Sequence, residues 1–312
     1  MVELPEPHPL DFDWRFTAST IKEISELLPR LLPVLAVGAP SLARALQGEG
    51  RDVLLIDRQP IQGVRSHLPI EVGSVLAAKG LPSFAVVDPP WYPADLTRWI
   101  AWVANLVGAE GSIIVSIWPE STRATAADEV DSFFRWCSAW AKVELLTMVP
   151  QYETPVFEKE SILFSSVNDL SRSPGFGRLI KIRVLDIPKI PREQRTQSSW
   201  LRFILNNYQL ALRLDLQEPT KPALVPHPQS IGWRWPFVSR RAPEREMISL
   251  WSSRNEVAII NNSNDLASCL RSAFKADNGA DFLQLLGAYP SLLEWELPKP
   301  PYWRYLEWCH QQ

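Results

Sequence analysis

Apolar positions along the chain alternate between two kinds of run. Short unbroken stretches, Val34–Val37, Asp52–Asp57, Phe84–Val87 and Ser112–Ile117, predict strands buried on both faces. Between them, apolar residues recur at helical spacing. Ile21, Ile24, Leu27, Leu28 and Leu31 predict a helix over 20–32 with Thr20 as its cap. Ser41 caps a second helix running to Gln47, which Gly48 and Gly50 end. Leu96, Ile100, Val103, Ala104 and Val107 mark a helix over 94–107, and Val130, Phe133, Phe134 and Cys137 one over 125–141. Residues 58–83 carry no clear period.

Two further strands, Lys142–Val149 and Ser161–Val167, are expected to close the sheet. Only a loop through Tyr152, Pro155 and Phe157 joins them, too short for a crossover helix, so they must pair antiparallel. The expected fold class is α/β: a Rossmann-like, mostly parallel sheet with an antiparallel terminal hairpin, plus a smaller α+β C-terminal part. In that part Leu179–Leu185 alternates like a strand, 197–213 predicts a helix, Met247–Ile260 predicts β structure, and helices are expected near 263–275 and 279–288. Three regions follow: a lead-in with its helix over 1–29, the Rossmann-like domain over 30–168, and a substrate- or partner-binding domain over 169–312.

Composition narrows the function classes. A net charge of -3 over 312 residues excludes a whole-chain basic field, though not a local patch. Cys137, Cys269 and Cys309 form no Cys-x-x-Cys pair, and four scattered histidines form no His-Glu-x-x-His, so no metal is expected. Sparse, unpaired cysteines fit a reducing compartment. The acidic, proline-rich start lacks a signal peptide's pattern and no apolar run could span a bilayer, so the expected location is cytoplasmic, with no membrane partner.

The chemistry-bearing residues lie at strand ends. Val34–Val37 stops at Gly38-Ala39-Pro40-Ser41, where a glycine before a helix lets a ligand approach the backbone. Asp57 ends the next strand, and a carboxylate there can bind both hydroxyls of a ribose. Phe84–Val87 runs into Asp88-Pro89-Pro90-Trp91-Tyr92. Two consecutive prolines fix φ and remove two N–H donors. The Asp88 carboxylate and Pro89 carbonyl can then each accept a hydrogen bond from one –NH2, aiming its lone pair by positioning and electrostatics. Trp91, with Tyr92, offers a stacking face for a planar base.

Asp88-Pro89-Pro90-Trp91 resembles the Asp-Pro-Pro-Tyr/Phe/Trp motif of class I S-adenosylmethionine-dependent methyltransferases that act on amines, the N6-adenine enzymes among them. The resemblance covers about residues 30–168. It implies S-adenosyl-L-methionine as cofactor, held at Gly38, Ala39, Pro40 and Asp57, with Phe16 and Thr17 folding over it, and Asp88, Pro89, Pro90 and Trp91 as the catalytic set. Of the family's Gly-x-Gly-x-Gly loop only Gly38 matches. Tyr92, Trp118 and Arg123 are candidates for substrate contact; for Arg123 a capping salt bridge is the competing role. Branched-chain polyamine synthases, which are aminopropyltransferases, share the Asp-Pro-Pro-Tyr strand end but carry a Gly-Asp-Asp-Asp turn where Gly38-Ala39-Pro40-Ser41 stands here, which argues against a polycationic acceptor. The open functional alternatives are a catalytically silent scaffold or nucleic-acid-binding subunit, and a small-molecule amine transferase.

Further along, Arg178, Lys181, Arg183, Lys189, Arg192 and Arg195, then Arg234, Arg240, Arg241 and Arg245 among Trp233, Trp235 and Phe237, suit single-stranded nucleic acid or a protein partner. Interspersed acids suit a solvated face equally well.

Overall fold

The computed structural model of the chain describes residues 3–76, 81–164, 175–192, 198–214 and 223–311. Its contacts divide into two units, the first drawn from 1–4, 13–154 and 172–193, the second from 5–12, 155–171 and 194–312.

The first unit follows the alternating pattern. Its elements are β1 (Arg15–Phe16), α1 (Ala18–Leu27), β2 (Val34–Val37), α2 (Pro40–Gly48), β3 (Val53–Ile56), β4 (His67–Leu68), β5 (Phe84–Val87), α3 (Pro93–Val107), β6 (Ser112–Ile117), α4 (Ala126–Ser138), β7 (Ala141–Leu145) and β8 (Tyr152–Glu153), with β9 (Arg178–Val184) after an interval that belongs to the second unit. A seven-stranded sheet runs in the order β4-β3-β2-β5-β6-β9-β7. The pairs β4–β3, β3–β2, β2–β5 and β5–β6 are parallel, and β9 lies antiparallel between β6 and β7. The sheet is Rossmann-like, as the pattern predicts. Val37, Val87 and Val115 on one face pack with Ile100, Val103 and Val130 of α3 and α4. Ala36, Val86 and Ile114 on the other pack with Ile24, Leu42 and Leu46 of α1 and α2. Strands covered on both faces have no polar side to alternate, hence the unbroken apolar runs.

Several expectations are corrected. The antiparallel strand is β9, not Ser161–Val167. Residues up to 164 belong to helix α5 (Val156–Phe164), where Phe157 and Ser161, four apart, are the buried positions; 165–167 lie outside the described residues. A short apolar run does not distinguish a strand from one helical turn. Helix α1 is capped by Thr17, whose side chain accepts from Thr20 N–H, and it ends at Leu27 before Pro29; Thr20 is buried and its hydroxyl accepts from Gln151 N–H. The lead-in expected over 1–29 is divided, since 5–12 group with the second unit. The boundary expected at 168 lies outside the described residues; described residues on its two sides, 155–164 and 175–192, group with the second and first units respectively.

The second unit is α+β. Strands β10 (Ser199–Leu205), β11 (Tyr208–Arg213), β12 (Leu224–Pro226), β13 (Leu250–Ser252), β14 (Val257–Ile260) and β15 (Tyr305–Gln311) form an antiparallel sheet ordered β12-β14-β13-β11-β10-β15. Helices α6 (Ser263–Phe274) and α7 (Gly279–Leu285) contribute Leu266, Leu270, Phe274 and Phe282 to the core with Phe203, Leu210 and Leu212. The helix expected over 197–213 is instead the hairpin β10–β11. Leu205 pairs with Tyr208, so Asn206-Asn207 forms a two-residue turn, and Asn206 takes φ 60°. That left-handed turn is what two-residue hairpins demand, and asparagine tolerates it.

Candidate active site

The candidate residues are level with one another at the carboxyl edge of the first unit's sheet. Val37 registers with Ile56 on one side and Val87 on the other, and Val87 registers with Val115. The next residues along these strands are therefore Asp57, Gly38, Asp88 and Ser116, side by side. The Gly38 N–H donates to Ile56 O (2.9 Å) and the Asp88 N–H to Val37 O (3.0 Å), so the ladder reaches this level intact. Two strand spacings separate Asp57 from Asp88, about 10 Å between Cα atoms. The chain leaves β2 toward β3 on one side and returns to β5 on the other. Gly38 and Asp88 thus stand at the switch in strand order, outside whose carboxyl ends open α/β sheets form their ligand crevice.

Gly38 has φ +64°, and a Cβ there would lie 2.7 Å from Trp99 Cζ3 and 2.9 Å from Asp88 O. Only glycine fits that turn. The following helix α2 has Ala39 as N-cap and Pro40 in its first turn, so its cap residue offers no side-chain acceptor to the amides at its start. Asp57, half-buried, accepts from Gln59 N–H (2.8 Å), while the His67 ring lies 3.1 Å from its carbonyl.

Asp88 is the most elaborately held of the set. The Tyr152 hydroxyl donates to Asp88 Oδ1 (2.7 Å), and its oxygen lies 2.6 Å from Ser116 Oγ. A phenol has one proton; with that proton on the carboxylate, the Ser116 hydroxyl donates to the Tyr152 oxygen. The Trp91 ring meets Tyr152 edge-on at 5.4 Å and 89°. Burial pushes the Asp88 carboxyl well above the usual carboxylate range; the Tyr152 bond opposes this and the negative charge of Asp13 adds to it. Burial likewise raises the Tyr152 hydroxyl, and the Asp88 charge raises it further. Among the described residues Asp88 Oδ2 and the Pro89 carbonyl accept no hydrogen bond, whereas the Pro90 carbonyl accepts from Tyr92 N–H (2.7 Å).

The remaining candidates fall elsewhere. Phe16 is 2% exposed, pairs with Tyr152 across the β1–β8 ladder and packs on its ring at 4.9 Å; it is core beneath the site rather than a cover over it. Thr17 is spent as a helix cap. Tyr92 is half-buried at the N-cap of α3. Trp118 is 0% exposed, its indole N–H directed to Ala126 O (3.4 Å) and the Arg123 guanidinium stacked 4.6 Å from its ring. A fully covered side chain cannot meet a substrate, so Trp118 is a core residue. Arg123 is held by Glu129 through Nε (2.8 Å) and Nη2, the salt bridge that competed with substrate contact. The sequence reading missed Tyr152 and Ser116. Ser116 left a signal, the hydroxyl that interrupts the apolar run Ile113–Ile117 at the level of Asp88; Tyr152 lies 64 positions from Asp88 and left none.

The arginines divide between units. In the first, Arg178 pairs with Glu120 (2.5 Å) and Arg183 with Glu110 (2.5 Å). In the second, Arg234 meets Glu296 (2.6 Å), Glu160 and Glu256, while Arg240 and Arg245 lie over Phe12 at 4.5 and 5.0 Å and Arg245 over Trp251 at 4.5 Å. Arg195 lies outside the described residues. Among the described residues no group of three His, Cys, Asp or Glu could hold a metal, and no helix is long and apolar enough to cross a membrane.

No protein-family model and no curated protein sequence matches the chain. Solved structures with partial likeness include the Thermus thermophilus branched-chain polyamine synthase in complex with N4-aminopropylspermidine and 5'-methylthioadenosine, at 15% identity and TM-score 0.46, covering 61% of this chain and 64% of the synthase. This chain thus spans under two thirds of that relative. The Bacillus subtilis protein YcgJ matches at 12% identity and TM-score 0.40, covering 55% of this chain and 100% of its own. The T. thermophilus 16S rRNA N2 G1207 methyltransferase RsmC, in complex with AdoMet and guanosine, matches at 9% identity and TM-score 0.38, covering 64% and 47%. Likenesses this distant decide nothing about chemistry.

Proposed function

We propose that the first unit is a class I S-adenosylmethionine-dependent methyltransferase domain acting on an amine, in particular the exocyclic amino group of a nucleobase. The observation that carries this reading is the level row Asp57, Gly38, Asp88 at the switch in strand order. The residues fit the cofactor. Gly38, in a turn that excludes any side chain, and the uncapped start of α2 would receive its amino-acid end, and Asp57 its ribose. When bound, S-adenosylmethionine supplies an electrophilic methyl group. Asp88 Oδ2 and the Pro89 carbonyl are placed to accept from the acceptor –NH2, and Trp91 to flank a planar base. Exposed Arg240, Arg241 and Phe237 of the second unit are the candidate nucleic-acid or protein contact. The location in keeping with such a partner is the cytoplasm.

A second reading, a catalytically silent relative acting as a scaffold, has two observations in its favour. Tyr152 already holds Asp88, and the Gly38 turn keeps one glycine and is packed by Trp99.

Methyl-labelled S-adenosylmethionine should transfer its label to one class among mixed oligonucleotides, proteins and polyamines. Asp88→Ala should abolish transfer while leaving cofactor binding within twofold. Full activity in Asp88→Ala would place the chemistry elsewhere. Binding without transfer to any acceptor would favour the scaffold.

A further inference from the structure

The Asp88 site contains a residue that the motif does not. Tyr152 is 3% exposed and comes from β8, on the two-stranded β1–β8 ladder rather than the main sheet. Its side chain meets two motif residues at once, the hydroxyl donating to Asp88 Oδ1 (2.7 Å) and the ring meeting Trp91 edge-on at 5.4 Å. Ser116, at the level of Asp88 on β6, completes its shell at 2.6 Å. A phenol oxygen with one donation and one acceptance is held in rotation. Phe16 packs on one side of the ring and Trp91 meets it edge-on. The hydroxyl is therefore held in place, whereas Asp88 is half-buried.

We infer that Tyr152 is a positioning residue for the amine: by occupying Asp88 Oδ1 it turns Oδ2 toward the acceptor, and through Trp91 it fixes the stacking face at the same time. Ser116 acts one step further out by holding the Tyr152 oxygen. This rests on the methyltransferase reading above. The acceptor it implies is an uncharged, planar amine that presents one N–H to a single carboxylate oxygen. With Oδ1 accepting from Tyr152, Oδ2 is the oxygen left to meet that N–H.

The test is Tyr152→Phe, which keeps the ring and removes the hydroxyl, assayed in the full chain against the acceptor found with wild type. The expected result is a fall in kcat of about tenfold or more, the scale of a lost positioning contact, with KM for S-adenosylmethionine within twofold of wild type. The acid limb of the kcat–pH profile should also move to higher pH, because the lost donation favoured the ionised carboxylate. A merely structural tyrosine would not move that limb. Should Tyr152→Phe fail to fold, Ser116→Ala should show the same two changes in smaller measure. A wild-type kcat with an unmoved acid limb, in Tyr152→Phe or in Ser116→Ala as its substitute, overturns the inference and leaves the methyltransferase reading standing. An inert wild type overturns both.

Discussion

Replacing Gly38 by alanine tests whether the turn after β2 is built for close approach. The residue sits at φ +64°, where a side chain costs about 1–2 kcal/mol. The new Cβ would also lie 2.7 and 2.9 Å from two Trp99 ring atoms and 2.9 Å from the Asp88 carbonyl. Trp99 is half-buried on α3 and can shift, but the Asp88 carbonyl is main chain at the end of a central strand. Overpacking of this kind adds about 1–3 kcal/mol, so Gly38→Ala should lose about 2–5 kcal/mol in all. At roughly 2–4 °C per kcal/mol for a unit of this size, scanning calorimetry should place its transition about 4–20 °C below wild type. Adding Trp99→Ala in the Gly38→Ala background removes the ring contacts alone, so the two changes should be strongly non-additive. A Gly38→Ala transition within 1 °C of wild type would refute the turn geometry and, with it, the approach of Asp88 to Gly38.

Three further outcomes follow from particular contacts. Arg202, wholly covered and bound to Asp11 (2.8 Å) and Gln209 (2.7 Å), should cost about 3–5 kcal/mol when changed to Met, because the buried Asp11 carboxylate loses this ion pair; the check is the melting of the second unit. Asn206→Ala should lose about 1–2 kcal/mol, since alanine tolerates φ 60° less well than asparagine, whose side chain can bond locally there, and since it removes the acceptor of Trp303 N–H (2.9 Å). Asp88→Asn should become more stable than wild type as pH rises. Below about pH 4 wild-type Asp88 is protonated in both states and the two proteins should melt together. Above it the unfolded chain releases a proton that the buried group retains, so wild type loses stability and the variant does not. A difference in melting temperature that stays constant with pH would show that Asp88 titrates alike in both states.

The sheet was legible because burial on both faces leaves strands uniformly apolar, and β2, β3, β5 and β6 fall within a residue of the runs that predict them. What the pattern could not carry is pairing over distance. Arg178–Val184 closes the sheet after an interval that belongs to the other unit, and nothing in its alternation announces that β6 and β7 will receive it. Ser199–Arg213 read as helical because its apolar residues are dense enough to satisfy either period; the decisive signal was Asn206-Asn207, a two-residue turn. At the site, Asp57, Gly38 and Asp88 were visible as strand ends. Tyr152 was not, since its role depends on β8 pairing with the strand at Arg15–Phe16. Trp118 misled for a related reason: it follows a strand at the same edge, but Arg123 and α4 cover it.

Cofactor binding tests the central claim most directly. Melting of the full chain with S-adenosylmethionine or S-adenosylhomocysteine should raise the first unit's transition, by about 2.7 kcal/mol at a hundred times Kd, or about 5–10 °C. The rise should be lost in Asp57→Ala and kept in Asp88→Ala. No shift with either ligand at millimolar concentration would contradict the account.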